Sequence, residues 1–201
     1  MNIKIRSSER VTIIGQTRSG KSQLARWIFN NLPAQRKVII NPKGSQSVLE
    51  HFPEWERQLK FPLAKGLHHV IRLMDRKNKQ AWDNDLNAVF MAGNTLLWLD
   101  ELPMMANESQ FSQAFQNIYQ AGGERKIGTI ACAQRPVGIP NFTISEVEHL
   151  FVFYTQLGSD RKKLEDATES DWSALLGLKK YHFCYWTQGM YKAEVMEPIT
   201  N

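Results

Sequence analysis

Gly15-Gln16-Thr17-Arg18-Ser19-Gly20-Lys21-Ser22 is the stretch on which the reading of this chain turns. It matches G-x-x-x-x-G-K-[ST] in full. Directly before it, Val11-Thr12-Ile13-Ile14 reads as a β-branched strand, and directly after it Leu24, Trp27 and Ile28 recur at helical spacing. A strand, a glycine-bearing loop and a helix in that order make a cradle for phosphates. Backbone N–H groups and the helix N-terminus face the anion, and glycine lets the chain approach closely. Gly15, Gln16, Thr17, Arg18, Ser19, Gly20, Lys21 and Ser22 are therefore the expected nucleotide-binding residues. Lys21 is expected on the β- and γ-phosphates and the Ser22 hydroxyl on Mg²⁺, which points to ATP with Mg²⁺.

Outward from the loop, short aliphatic runs alternate with helix-period stretches, the pattern of an α/β fold with a mainly parallel central sheet flanked by helices. Strands are expected at Lys37-Val38-Ile39-Ile40, at 69–73, at 95–99, at 127–133 and at 150–154. Trp82, Leu86, Val89 and Phe90 share a helix face that stops at Gly93-Asn94, and Phe111, Phe115, Ile118 and Tyr119 share another that ends near Gly122-Gly123. The stretch from Tyr181 to Val195, with Gln188-Gly189 inside it, reads as a hairpin closing one sheet edge. The whole chain, 1–201, is expected to form one ATPase domain, with a core over about 11–154 and a carboxyl-terminal helix and hairpin over 155–201.

Two strand ends add chemistry. Leu96-Leu97-Trp98-Leu99 runs into Asp100-Glu101. Asp100 suits a metal-holding carboxylate and Glu101 a base that polarises the attacking water. About 70 residues separate Ser22 from Leu96, room for two strand-helix units, so an additional strand is expected between the loop strand and the acidic strand. A glutamate next to the aspartate then gives the RecA-like, additional-strand type of P-loop NTPase with a catalytic glutamate. The strand 127–133 ends in Gln134-Arg135-Pro136, in the crevice where such sheets hold ligands. Gln134 there either reaches the γ-phosphate or lytic water or caps the following turn.

Composition supports a globular core and excludes several classes. Of 201 residues, 42% are hydrophobic, so disorder is excluded. Lys plus Arg exceed Asp plus Glu by 25 to 20, a mild bias towards polyanions. Cys132 and Cys184 lie far apart in apolar stretches and read as buried thiols, and His68-His69 has no partner spacing for a metal. The first residues lack the apolar core of a secretory signal and no run is long enough to span a bilayer, so a soluble intracellular protein is expected. Basic clusters at Arg72, Arg76, Lys77 and Lys79, at 161–163 and at 179–180 are each candidates for a phosphate track or an ordinary solvated face.

The motifs Gly15 to Ser22, Leu96 to Glu101 and above all Gly128-Thr129-Ile130-Ala131-Cys132-Ala133-Gln134-Arg135-Pro136, with Ile139-Pro140 and His149 to Phe153 after them, resemble the FtsK/HerA superfamily of DNA-pumping ATPases. The compact length is similar to that of genome-packaging ATPases of membrane-containing icosahedral viruses. The resemblance implies a ring, usually a hexamer, that threads double-stranded DNA and hydrolyses ATP between subunits. It implies partners at a capsid vertex or in a viral membrane, and a location in host cytoplasm or virion. It also implies an arginine supplied in trans from just before the Gln-Arg-Pro strand. Arg125 stands at that place, with Lys126, Arg135 and Arg76 as competitors. Packaging is the leading expectation. A plasmid-transfer or secretion-coupling pump, and a nucleotide-gated phage assembly protein without translocation, are the alternatives.

Overall fold

The structure, a computed structural model, describes residues 3–57, 63, 66, 68–73 and 79–199. Its elements, in chain order, are β1 (Arg10–Ile14), α1 (Lys21–Asn31), β2 (Arg36–Asn41), α2 (Gln46–His51), β3 (His68–Leu73), α3 (Lys79–Ala92) and β4 (Thr95–Leu99). There follow α4 (Gln113–Ala121), β5 (Ile127–Ala133), α5 (Phe142–Ser145), β6 (His149–Phe153), α6 (Gly158–Thr168), β7 (Phe183–Thr187) and β8 (Glu194–Met196).

The strands form an eight-stranded sheet in the order β3-β2-β4-β5-β1-β6-β7-β8. The first six run parallel, and β7 and β8 add antiparallel at one edge. Every residue of β4, β5 and β6 is buried, as sequences nearly apolar throughout require when helices cover both faces. Alternation along β4 splits the core. Leu97 and Leu99 pack with Trp82, Leu86, Phe115 and Ile118 from α3 and α4. Leu96 and Trp98 pack on the other face with Leu24, Ile28 and Phe29 from α1.

An additional strand does separate β1 from β4, for a different reason from the one the chain length suggests. It is β5, which follows β4 in sequence, while the strands between Ser22 and Leu96, β2 and β3, lie beyond β4 on the far side. Loop length limits how many strands fit; sheet order depends on which neighbours complete the buried faces.

Three local expectations are corrected. Phe111 precedes α4, because the Ser112 hydroxyl accepts the Phe115 N–H at 3.2 Å and caps the helix at Gln113; Phe111 instead meets Phe142 edge-on at 5.1 Å. The edge hairpin pairs Phe183 with Met196 and Cys184 with Val195, so residues 188–193 form a longer connection rather than a tight turn, and Met190 lies in it. Tyr181 lies outside β7 with a positive φ of 67°.

Both cysteines are buried free thiols, and burial pushes each up to about 12. No helix among the described residues is long and apolar enough to cross a membrane.

Candidate active site

The loop between β1 and α1 closes on itself before it can bind anything. Gly15 N–H donates to the Ala133 carbonyl at 3.0 Å, tying the loop to the end of β5, and Ser19 N–H donates to the Gln16 carbonyl at 3.2 Å. Two glycines are sterically required. A Cβ on Gly15 would stand 2.6 Å from Ser19 Oγ and 2.8 Å from Phe153 Cβ, and Gly20 adopts φ +104° as it starts α1. The same turn leaves the first N–H groups of α1 unpartnered within the helix and aimed along its axis, the geometry that holds phosphate.

Because parallel strands end together, the carboxyl ends of β4, β5 and β2 meet this loop. A cleft of about 360 Å³ results. Its walls bring together Lys21, Ser22, Lys43, Asp100, Glu101 and Gln134, with Gln16, Thr17, Arg18 and Gly20 on the loop side. Of the site residues expected from sequence, three do not line it: Gly15 and Ser19 belong to the loop behind the rim, with Ser19 Oγ accepting the Lys21 N–H at 3.4 Å, and Arg125 is not brought here.

Asp100 is buried at the end of β4, its N–H donating to the Ile40 carbonyl at 3.0 Å. Burial raises its carboxyl above the ordinary aspartate value, and Glu101 adds to this, while the Lys21 and Lys43 ammonium groups oppose it. None of the described residues donates a hydrogen bond to the Asp100 carboxylate, which leaves it as an oxygen donor in the cleft that Ser22 also lines. Hard oxygen donors of that kind, with no cluster of three or more His, Cys, Asp or Glu side chains among the described residues, suit Mg²⁺ shared with phosphates rather than a dedicated metal cage.

Glu101 is also buried and its backbone is left-handed, with φ +79°. For a residue with a side chain that conformation is strained, and such strain concentrates where function fixes a side chain's aim. The carboxylate accepts the Gln134 amide N–H at 3.3 Å and an ion pair from Lys43. Gln134 is thus tied to the candidate base rather than capping the turn after β5.

Lys43 is the residue that sequence reasoning missed. It follows β2 in Asn41-Pro42-Lys43-Gly44, and β2 lies next to β4 in the sheet. The available signal was a cation just past the carboxyl end of a parallel strand, the position where such folds hold ligands. Only the strand order, however, shows that its neighbour is Glu101.

The competing basic residues separate cleanly. Arg135 points away from the cleft and grips Asp160 at 3.0 Å, and Asp160 also accepts the Thr155 hydroxyl at 2.7 Å. Arg72 pairs with buried Asp85 at 2.8 Å. Arg161 and Lys163 pair with Glu165 and Glu108. Arg76 and Lys77 lie outside the described residues. Arg125 sits before β5, at the amino ends of the strands, its guanidinium 4.5 Å from the Phe90 ring centroid. Seven residues of β5 place it about 23 Å from the cleft of its own chain, at roughly 3.3 Å per residue.

No family model matches the sequence. The DNA packaging ATPase P9 of Enterobacteria phage PRD1 is 27% identical over 208 residues, which cover 95% of this chain and 87% of that protein. The chain resembles viral genome-packaging ATPases along its length. Two solved structures share the architecture. The genome packaging NTPase B204 from Sulfolobus turreted icosahedral virus 2, in complex with AMPPCP, superposes with a TM-score of 0.77 at 17% identity, over 97% of this chain and 100% of that one. B204, the DNA-packaging ATPase from Sulfolobus Turreted Icosahedral Virus, gives 0.75 at 18% identity, over 98% and 100%. At those identities the structural match establishes the P-loop NTPase fold alone, and the packaging-ATPase likeness rests on the phage relative.

Proposed function

We propose that the chain is the ATP-hydrolysing subunit of a machine that packages double-stranded DNA into a viral capsid. The observation that carries the hydrolytic part is the grouping of Lys21, Asp100, strained Glu101 and Gln134 in one cleft at the mouth of the phosphate loop. The likeness to the phage DNA packaging ATPase supports the choice of DNA as cargo.

In this reading the loop N–H groups and Lys21 hold the triphosphate with its terminal phosphorus towards Glu101. Ser22 and Asp100 would hold Mg²⁺, whose charge offsets that of the phosphate oxygens. Glu101 accepts the proton of a water as its oxygen bonds to the γ-phosphorus, and the bond to the ADP oxygen breaks. Gln134 orients that water from its place beside Glu101 Oε2. Lys43 holds the Glu101 carboxylate in place through their ion pair until the nucleotide is seated.

Arg125 completes the site of a neighbouring copy. Its distance from its own cleft supports action in trans, and an added cation there would stabilise the charge on the transferring phosphoryl group. Repeated head to tail, such a contact would close into a ring in which each subunit's turnover waits on the next. A net charge of +5 per subunit, repeated around a pore, would give a salt-sensitive track for DNA phosphates.

The test is ATPase rate with and without double-stranded DNA. Stimulation is expected, with Lys21→Ala abolishing nucleotide binding. Glu101→Gln should keep binding within a few fold while lowering turnover by roughly 10²–10⁴. Hydrolysis indifferent to DNA at every salt concentration would remove the packaging motor from consideration.

A further inference from the structure

The phosphate cleft explains where a triphosphate would lie but says nothing of the rest of the nucleotide. Its chemistry nevertheless fixes a direction. Asp100, Glu101 and Gln134 mark the γ end, at the strand ends of β4 and β5. The nucleoside must leave the loop on the opposite side, past the first turn of α1, where β6 and β7 lie.

A cavity of about 220 Å³ opens there. It shares Gly20 and Gln23 with the phosphate cleft and continues between Leu24, Tyr181, Pro198 and Ile199. Phe153 and Phe183, both buried, form its remaining walls. No carboxylate and no cationic side chain lines it. It is therefore suited to a flat, weakly polar group, not to further phosphate.

Tyr181 supplies an independent observation. The residue is 47% exposed, and its backbone holds φ +67°, which a bulky residue adopts only at a cost; the Lys180 ammonium lies 4.9 Å from its ring centroid, which leaves one ring face for another partner. The ring nonetheless reaches the loop, with its Cδ1 3.8 Å from where a Cβ on Gly20 would stand. Phe153, which meets both Gly15 and Gly20, fixes the loop against the same aromatic wall. An aromatic face held beside a helix N-terminus, at the exit of a phosphate site, offers a stacking platform for a planar ring.

We infer that the nucleobase of the bound nucleotide docks in this cavity against Tyr181, so that the segment from Tyr181 to Ile199, at the far end of the chain from the loop, forms the base subsite. The inference rests on the reading of Gly15 to Ser22 as a nucleotide site. It also gives the edge hairpin a role, because β7 and β8 carry Tyr181 on one side and Pro198-Ile199 on the other.

The experiment compares AMPPCP with inorganic triphosphate by calorimetric titration of the full chain, with Mg²⁺, for the unsubstituted protein, Tyr181→Ala and Tyr181→Phe. The unsubstituted protein should bind AMPPCP at least tenfold tighter than triphosphate. Tyr181→Ala should remove most of that margin and leave triphosphate affinity unchanged, and Tyr181→Phe should retain it. Equal binding of the two ligands by the unsubstituted protein would overturn the base subsite. So would a Tyr181→Ala protein that keeps the full margin, or one that weakens both ligands in proportion. Failure of both ligands to bind the unsubstituted protein would overturn the nucleotide-site reading itself, a result distinct from the others.

Discussion

At the residue scale the site is built from charges held where water would not favour them. Asp100 is the clearest case, since burial raises its carboxyl above the ordinary value and its two cationic neighbours only partly compensate. A raised pKa means that the folded chain binds a proton more tightly than the unfolded chain. The contribution of Asp100 to stability is therefore present at low pH and is lost as pH rises past the ordinary aspartate range. Asp100→Asn should stabilise the nucleotide-free fold by about 1 kcal/mol at neutral pH, with the gain vanishing in acid. Thermal melts across pH measure this. The same substitution should weaken nucleotide binding in Mg²⁺ far more than in its absence. Glu101 is held by geometry instead, its left-handed backbone and its ion pair with Lys43 fixing a carboxylate at the mouth of the loop.

At the element scale, what aligns the site is the common end of parallel strands. β1 ends in the loop, β4 in Asp100-Glu101, β5 in Gln134 and β2 just before Lys43, and their registers are locked by continuous parallel pairing. The residue after Gln134 serves this alignment rather than the chemistry. Arg135 clamps Asp160 on α6, whose carboxylate is buried and also holds the Thr155 hydroxyl. Arg135→Ala should leave that carboxylate short of a partner and cost about 1–2 kcal/mol, less than for a fully buried pair because the arginine side chain is 44% exposed. Chemical denaturation should register the loss, and nucleotide affinity should change little at a temperature where the variant is folded. Arg125→Ala should instead leave stability nearly unchanged and lower ATPase turnover, since the contacts of its side chain among the described residues are a surface contact with Phe90 and a 3.4 Å hydrogen bond to the Phe90 carbonyl.

At the scale of the whole molecule, one chain leaves its own Arg125 at the wrong end of the sheet, and the proposed ring turns this into a test. Arg125→Ala and Glu101→Gln copies should each be inactive alone. Mixed and reassembled, they should regain part of the ATPase rate, because a Glu101→Gln subunit can donate Arg125 to a neighbour whose glutamate is intact. Mixing without recovery would assign Arg125 to the surface it occupies. The sequence by itself determined the phosphate loop, the α/β class, most strands and helices, and the acidic pair, because each depends on local spacing: a glycine that permits a turn, a run of β-branched residues, an apolar period. It left open whether Gln134 caps a turn or joins the site, which arginine is structurally committed, and that Lys43 faces Glu101. It also misattributed the strand between β1 and β4. Those points depend on which strands lie side by side, and strand order is set by how whole faces of the sheet are covered, a property distributed over residues far apart in the chain. Only the tertiary structure brings Lys43 across to β4, commits Arg135 to Asp160, and sets Tyr181 against Gly20.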